Sequence, residues 1–180
     1  MSWKNSEIYR SRGIIMAIVI MILIISCAPA AASPKTSCEL NGFERSIVSL
    51  SYSIGEPYDL GETMVAIALE ESELGRYRIS LSDPSAGVYH TLISHAIKDL
   101  GWKDNSYNRN RAAQLLIDDH VYAAHLAIGV LKWWHNYRGG DWKETLSGYN
   151  GGHKGNPSYV RRIANHIKHI RQCKWVESFS

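Results

Sequence analysis

The chain has 180 residues, 45% hydrophobic and 21% charged, with 20 Lys and Arg against 17 Asp and Glu and a formal net charge of +3. That balance suits one globular domain with a sizeable core and excludes a disordered, collagenous or polytopic chain. It also lacks the concentrated basic excess by which a nucleic-acid binder attracts phosphate, so no nucleic-acid partner is expected.

At the N-terminus, Lys4, Arg10 and Arg12 precede a 12-residue apolar run from Ile14 to Ile25, and the small residues of CAPAAAS follow. This is the pattern of an export signal. A spanning helix needs about 20 apolar residues, and Pro29 interrupts any extension. Residues 1–32 are therefore expected to be a signal peptide cleaved after Ala32, sending the chain to the periplasm. The alternatives are a retained membrane anchor and a lipidated Cys27, where IISC resembles a lipoprotein box. Cleavage takes away Lys4, Arg10, Arg12 and Glu7, leaving 17 basic against 16 acidic side chains. The remainder keeps Cys38 and Cys173. An even count in an oxidising compartment leads to the expectation of a disulfide tying the two ends together, with two buried free thiols as the alternative.

Residues 33–180 contain no internal repeat, linker or low-complexity tract and read as one mainly helical domain. Asp59 with Glu62 three residues on, and Gly75 as a stop, predict a helix from Leu60 to Leu74. GRYRISLSDPSAG is the one stretch of strand or loop character, after which Ser85 is expected to cap a helix running to Leu100 and stopped by Gly101. RNRAAQLLIDD predicts a short helix, and DDHVYAAHLAIGVLKWWHNYRGG a longer one ending at Gly139 and Gly140. Asp141 and Glu144 repeat the cap-plus-acid pattern before TLSGYNGG. Asn156 and Pro157 then open a last helix whose apolar positions Val160, Ile163, Ala164, Ile167 and Ile170 recur at helical spacing. Seven or so helices with almost no alternating segment point to a predominantly α domain.

The run MVAIALEESELG carries the chemical signal. Ala68, Ile67 and Met64 lie three, four and seven positions before Glu71, so Glu71 shares the apolar stripe, whereas Glu70 and Glu73 are rotated to flanking faces. A carboxylate there loses hydration, sits at the negative end of the helix dipole and has two acidic neighbours, all of which raise its pKa. A carboxyl kept neutral near pH 7 is the equipment of a general acid. The competing interpretation is a structural one, in which Glu71 pairs with Arg76, Arg78 or a capping group.

Four segments in order break that tie. Glu71-Ser72 ends an AIAL helix. SAGVYH (Ser85 to His90) follows about 15 residues later, then LSGYNGG (Leu146 to Gly152), then NPSYVRRI (Asn156 to Ile163). Together they resemble the Glu-Ser, Gly-Leu-Met-Gln, Ala-Tyr-Asn-Ala-Gly and Tyr-Val-x-x-Ile segments of bacterial lytic transglycosylases of the soluble type, relatives of goose-type lysozyme. The resemblance spans roughly Leu60 to Ile170. It implies a mainly α, lysozyme-like single domain with little or no sheet, and cleavage of the bond between N-acetylmuramic acid and N-acetylglucosamine in peptidoglycan. By it Glu71 matches the single catalytic acid and base, Tyr149 and Asn150 match the pair lining the site, and Ser72 matches the Ser that positions substrate or the Glu. Gly87 matches the first Gly of Gly-Leu-Met-Gln, whereas Val88, Tyr89 and His90 depart from Leu-Met-Gln. An imidazole at His90 offers different hydrogen bonds from an amide.

In that family the same Glu protonates the leaving oxygen and then takes the proton of the C6 hydroxyl as a 1,6-anhydro ring closes, so no second enzyme carboxylate is needed. A hydrolase would need one, and Asp83, Asp118 and Asp119 are the candidates. The eight histidines fall between His90 and His169 and show no zinc-binding spacing, so neither metal nor cofactor is implied. Trp102, Trp133, Trp134, Trp142 and Trp175 would suit sugar stacking, although aromatics at helical spacing more often belong to a core. Arg161, Arg162, Lys168, Arg171 and Lys174 lie off the apolar stripe of the last helix, as a solvated face or as an attraction for acidic peptide stems or anionic lipid. The expected partner is the glycan strand, met by a monomer with transient contact to a membrane or an envelope-spanning assembly. A non-catalytic wall-binding factor is the alternative from another class.

Overall fold

In the computed structural model, residues 37–179 are described. The expected export segment, its cleavage site after Ala32 and the Cys27 lipid site lie outside them. Seven α-helices and one two-stranded sheet make up the described chain: α1 (Gly42–Gly55), α2 (Gly61–Ser72), β1 (Ser85–Ala86), β2 (Thr91–Leu92), α3 (Ile93–Asp99), α4 (Ser106–Asp118), α5 (His120–Tyr137), α6 (Trp142–Gly151) and α7 (Pro157–Gln172). Short 3-10 turns follow α1 at Glu56–Tyr58 and α6 at Gly152–Lys154. The mainly helical class is as expected. Among the described helices none is long and apolar enough to cross a membrane.

Packing is centred on α2, whose residues Met64 to Leu69 are all buried. α1, α7 and the turn at Glu56–Tyr58 pack against it, while α5 packs on α6, α4 and α1. A helix covered on all sides has no solvent stripe. Glu70 and Glu73, expected on flanking faces, are accordingly only 16% and 21% exposed.

Several helix starts follow the expected chemistry. The side chains of Asp141 and Asn156 accept from the backbone N–H groups of Glu144 and Tyr159, at 2.9 and 3.2 Å, and Asp119 does the same for Tyr122 at 2.9 Å. Others differ. Asp59 does not cap α2: it closes the preceding 3-10 turn in the left-handed region (φ 58), and α2 starts from Leu60 without a side-chain cap. Ser85 does not open a helix either. It sits in β1, paired with Leu92, so α3 begins only at Ile93, and what looked like one helix to Leu100 is a hairpin followed by two turns. α1, absent from the expectations, is announced by a capping box: Asn41 Oδ1 accepts from Glu44 N–H, and Glu44 Oε2 from Asn41 N–H, each at 2.9 Å.

On α7, Ile163 and Ile170 are fully buried, whereas Ala164 is exposed and Tyr159 takes a core position. The basic face of this helix is partly spoken for, since Arg162 pairs with Glu70 and Arg171 with Glu62; Lys174, expected on the same helix, lies beyond its end at Gln172 with a left-handed backbone and pairs with Glu177. The first two tie α7 to α2. Cys38 and Cys173 form a disulfide with their Cα atoms 5.1 Å apart, which settles the choice between a bridge and two free thiols.

Candidate active site

α2 carries Glu71 in its last turn and then stops abruptly. The stop expected at Gly75 comes earlier, because Glu73 (φ 50), Leu74 (φ 59) and Gly75 (φ 84) all adopt left-handed backbone. Glu73 N–H donates to Leu69 O at 3.1 Å and Leu74 N–H to Ala68 O at 3.0 Å, which satisfies the carbonyls left open by the helix end. Left-handed geometry costs a non-glycine residue about 1–2 kcal/mol. The reversal turns the chain from 76 onwards back past Glu71.

Ser72 holds that returning chain. Its Oγ donates its one proton to Val88 O (2.6 Å), with Ala68 O the alternative acceptor at 3.1 Å, and accepts from Gly75 N–H (2.8 Å). At 1% exposure it cannot touch a ligand. Of the two roles the resemblance implies, positioning substrate or positioning the Glu, burial excludes the first, and what its bonds hold is the loop beyond α2. Gly87 is likewise buried, with φ +83, and a Cβ there would lie 2.4 Å from Leu116 O. It lets the segment press onto α4, so Gly87, matched by the resemblance to a glycine of the site, is buried away from any substrate and positions the loop instead. Val88 and Tyr89 are core residues at 0% exposure, and Tyr89 shares a 2.8 Å hydrogen bond with Ser51. Burial pushes the Tyr89 phenol up to about 12.

Four of the expected residues converge: Glu71, His90, Tyr149 and Asn150 line one cavity of about 170 Å³, together with Asp83 and Trp134. Asn150 Nδ2 points at Glu71 Oε1 from 3.5 Å. Its amide orientation is fixed from behind, because Asn156 Nδ2 donates to Asn150 Oδ1 at 2.7 Å while Ser158 Oγ donates to Asn156 Oδ1 at 2.6 Å. Tyr149 Oη donates to Tyr89 O at 2.9 Å, and its ring stacks on Tyr159 with centroids 6.4 Å apart. Gly148 brings α6 close enough that a Cβ would meet the Trp134 ring at 2.6 Å.

His90 holds a left-handed backbone (φ 41). Its Nε2 lies 2.7 Å from Tyr77 O. A carbonyl only accepts, so the proton sits on Nε2. Nδ1 then faces Glu71 Oε2 at 3.6 Å. With a neutral ring this nitrogen is an acceptor, and it suits a Glu71 that carries its own proton.

Glu71 is 13% exposed, and its pKa is pushed up to about 7, first by burial and then by the charges of Glu70 and Asp83; the neighbouring Tyr159 hydroxyl and the Asn150 amide work against this. The structural pairing with arginine does not occur: Arg76 goes to Glu73 at 3.6 Å and Arg78 Nη1 to Ile117 O at 3.2 Å. Adjacent Glu70 has the opposite balance. Burial raises it, but hydrogen bonds from His166 (2.8 Å) and Arg162 (2.5 Å) outweigh burial, so its pKa is lowered. The two neighbouring carboxyls are thus driven apart in acidity.

Two site roles escape the sequence, and a third is narrowed by the structure. Tyr159 was visible within NPSYVRRI but without a stated role; its buried hydroxyl abuts Glu71, outside ordinary hydrogen-bond geometry. Asn156 was seen as a helix cap and also orients Asn150. Asp83, one of three candidate second carboxylates, alone lines the cavity, since Asp118 accepts from Gln114 and Asp119 caps α5. No family model, curated protein or solved structure matches the chain.

Proposed function

We propose that residues 33–180 form a lysozyme-like peptidoglycan lytic transglycosylase acting in the periplasm. The reading rests on one observation above all: a buried carboxyl with its pKa near 7, at the floor of a cavity walled by Tyr149 and Asn150. Near neutral pH a large fraction of Glu71 carries a proton that it can give to a glycosidic oxygen. The bond from the N-acetylmuramic acid C1 to that oxygen breaks, and the leaving N-acetylglucosamine takes the proton as its 4-hydroxyl. The substrate's N-acetyl group shields the cationic C1. Ionised Glu71 then accepts the C6 hydroxyl proton while that oxygen bonds to C1, closing the 1,6-anhydro ring and restoring the protonated acid. No water enters the balance.

Within this scheme Asn150 steadies one Glu71 oxygen and His90 faces the other, while Ser72 and Gly87 hold the loop that carries His90. Asp83 supports a second reading, a goose-type-lysozyme-like hydrolase, because a carboxylate in the same cavity could activate water. Muropeptides released from purified sacculi separate the two: anhydromuramoyl ends support the transglycosylase, and reducing ends carrying labelled solvent oxygen overturn it. A Glu71→Gln chain that still clears sacculi as well as the parent would exclude Glu71 as the acid, whereas no clearing by either chain would favour a non-catalytic wall-binding factor.

A further inference from the structure

A second cavity adjoins that of Glu71. It has a volume of about 580 Å³, shares His95, Val130 and Trp134 with the first, and extends along α5 to Trp133 and His153. At its far end lies an ordered group of rings. Trp133 stacks on Tyr137 with centroids 5.2 Å apart and planes 10° apart, and His153 packs edge-on to Tyr137 at 5.1 Å while its Nδ1 meets the Tyr137 hydroxyl at 3.1 Å. Arg138 fixes the assembly from below. Its guanidinium lies over Trp134 and Tyr137, and its Nη2 donates to Gly152 O and His153 O at 3.0 and 2.9 Å.

Trp133 and Tyr137 are nonetheless 51% and 55% exposed. Large rings that are held rigid by neighbours and left open to water are not completing a core. Their faces carry the negative lobe of the aromatic quadrupole, and the weakly positive C–H groups of a pyranose face seat on such a surface. Lys98 and Asp99 at the rim supply a donor and an acceptor for sugar hydroxyls and amides. The distance along α5 from Val130 to Tyr137 is ~10 Å, more than one sugar ring needs.

We infer that the Trp133–Tyr137–His153 platform is a glycan subsite, seating an N-acetylated hexosamine ring of the strand whose neighbouring linkage lies over Glu71. This rests on the proposed function for the identity of the strand. Continuity of the two cavities through Trp134 selects the same ligand for both, and the rigidity of the rings gives affinity without a cost of ordering them.

The test measures retention of the full chain on purified sacculi in a Glu71→Gln background, where strands are not cut. Adding Trp133→Ala should weaken retention on the order of tenfold, as for a truncated aromatic anchor. Trp133→Phe, which keeps a ring face, should restore most of it. Trp142→Ala removes another exposed indole, 43% exposed and outside both cavities, and should change nothing. Unchanged retention in Trp133→Ala overturns the subsite, as does an equal loss in Trp142→Ala. Either result leaves the catalytic reading standing, because that reading is judged separately by whether Glu71→Gln abolishes clearing.

Discussion

The carboxyl of Glu70 receives Arg162 and His166, whereas that of Glu71, one position on, faces Asn150, His90 and a phenol. For Glu71 the folded pKa stands above the unfolded one, so the folded state binds more protons between 4.5 and about 7. Stability from this group is therefore complete below the unfolded pKa and declines as pH rises through the folded one. The gap corresponds to a cost of ~3 kcal/mol at alkaline pH. Glu71→Gln should abolish glycan cleavage while raising Tm at pH 8, with the gain shrinking towards pH 4; an equal Tm difference at both values would contradict the buried, proton-holding carboxyl. Glu70→Gln removes one of the charges that raise Glu71, so the alkaline limb of the pH–activity curve should move to lower pH. An unmoved limb would detach the two carboxyls. The helical spacing of MVAIALEE revealed that Glu71 is buried, but could not reveal that Glu70 is half-buried too, because Arg162 and His166 come from α7, some 90 residues away in sequence.

At the scale of elements, the left-handed stop after α2 and the clamped loop through Gly87 convert a helix end into a site wall. Local signals were legible where the partner is a near neighbour: Asp141, Asn156 and the glycines after α5 are settled within four residues. They misled where a tertiary contact decides. Ser85 has the chemistry of a cap, yet pairing with Leu92 and the bridge between Ile79 and Ala86 make it a strand residue. Asp59 is spent closing a turn before α2 can use it. Gly87→Ala should destabilise the fold by about 2 kcal/mol or more, since the new methyl must displace the α4 backbone and the positive φ is strained. Denaturant midpoints measure it, and a change below a few tenths would show that the loop can move. Ser72→Ala leaves Gly75 N–H and the loop carbonyl of Val88 without their partner; it should cost about 1–3 kcal/mol and lower turnover by displacing His90. Full activity in this variant would mean that the Val88 anchor is dispensable.

For the molecule as a whole, the bridge between Cys38 and Cys173 closes a loop with a sequence separation of 135. In the chain-entropy account such a loop stabilises by about 4–5 kcal/mol. Reduction, or Cys173→Ser, should lower the unfolding midpoint accordingly, and an unchanged midpoint would mean that the surrounding contacts, among them Trp175 Nε1 to Cys38 O at 2.9 Å, suffice alone. With its two extremities held side by side, the described span is close to a ring, and the place where the polypeptide is opened becomes a matter of choice. Fusing those extremities through a short peptide and breaking the backbone at the exposed Gly139–Gly140 pair should give a rearranged chain with the same shape and the same trough, a form in which α6 and α7, with Tyr149 and Asn150, would be synthesised before Glu71.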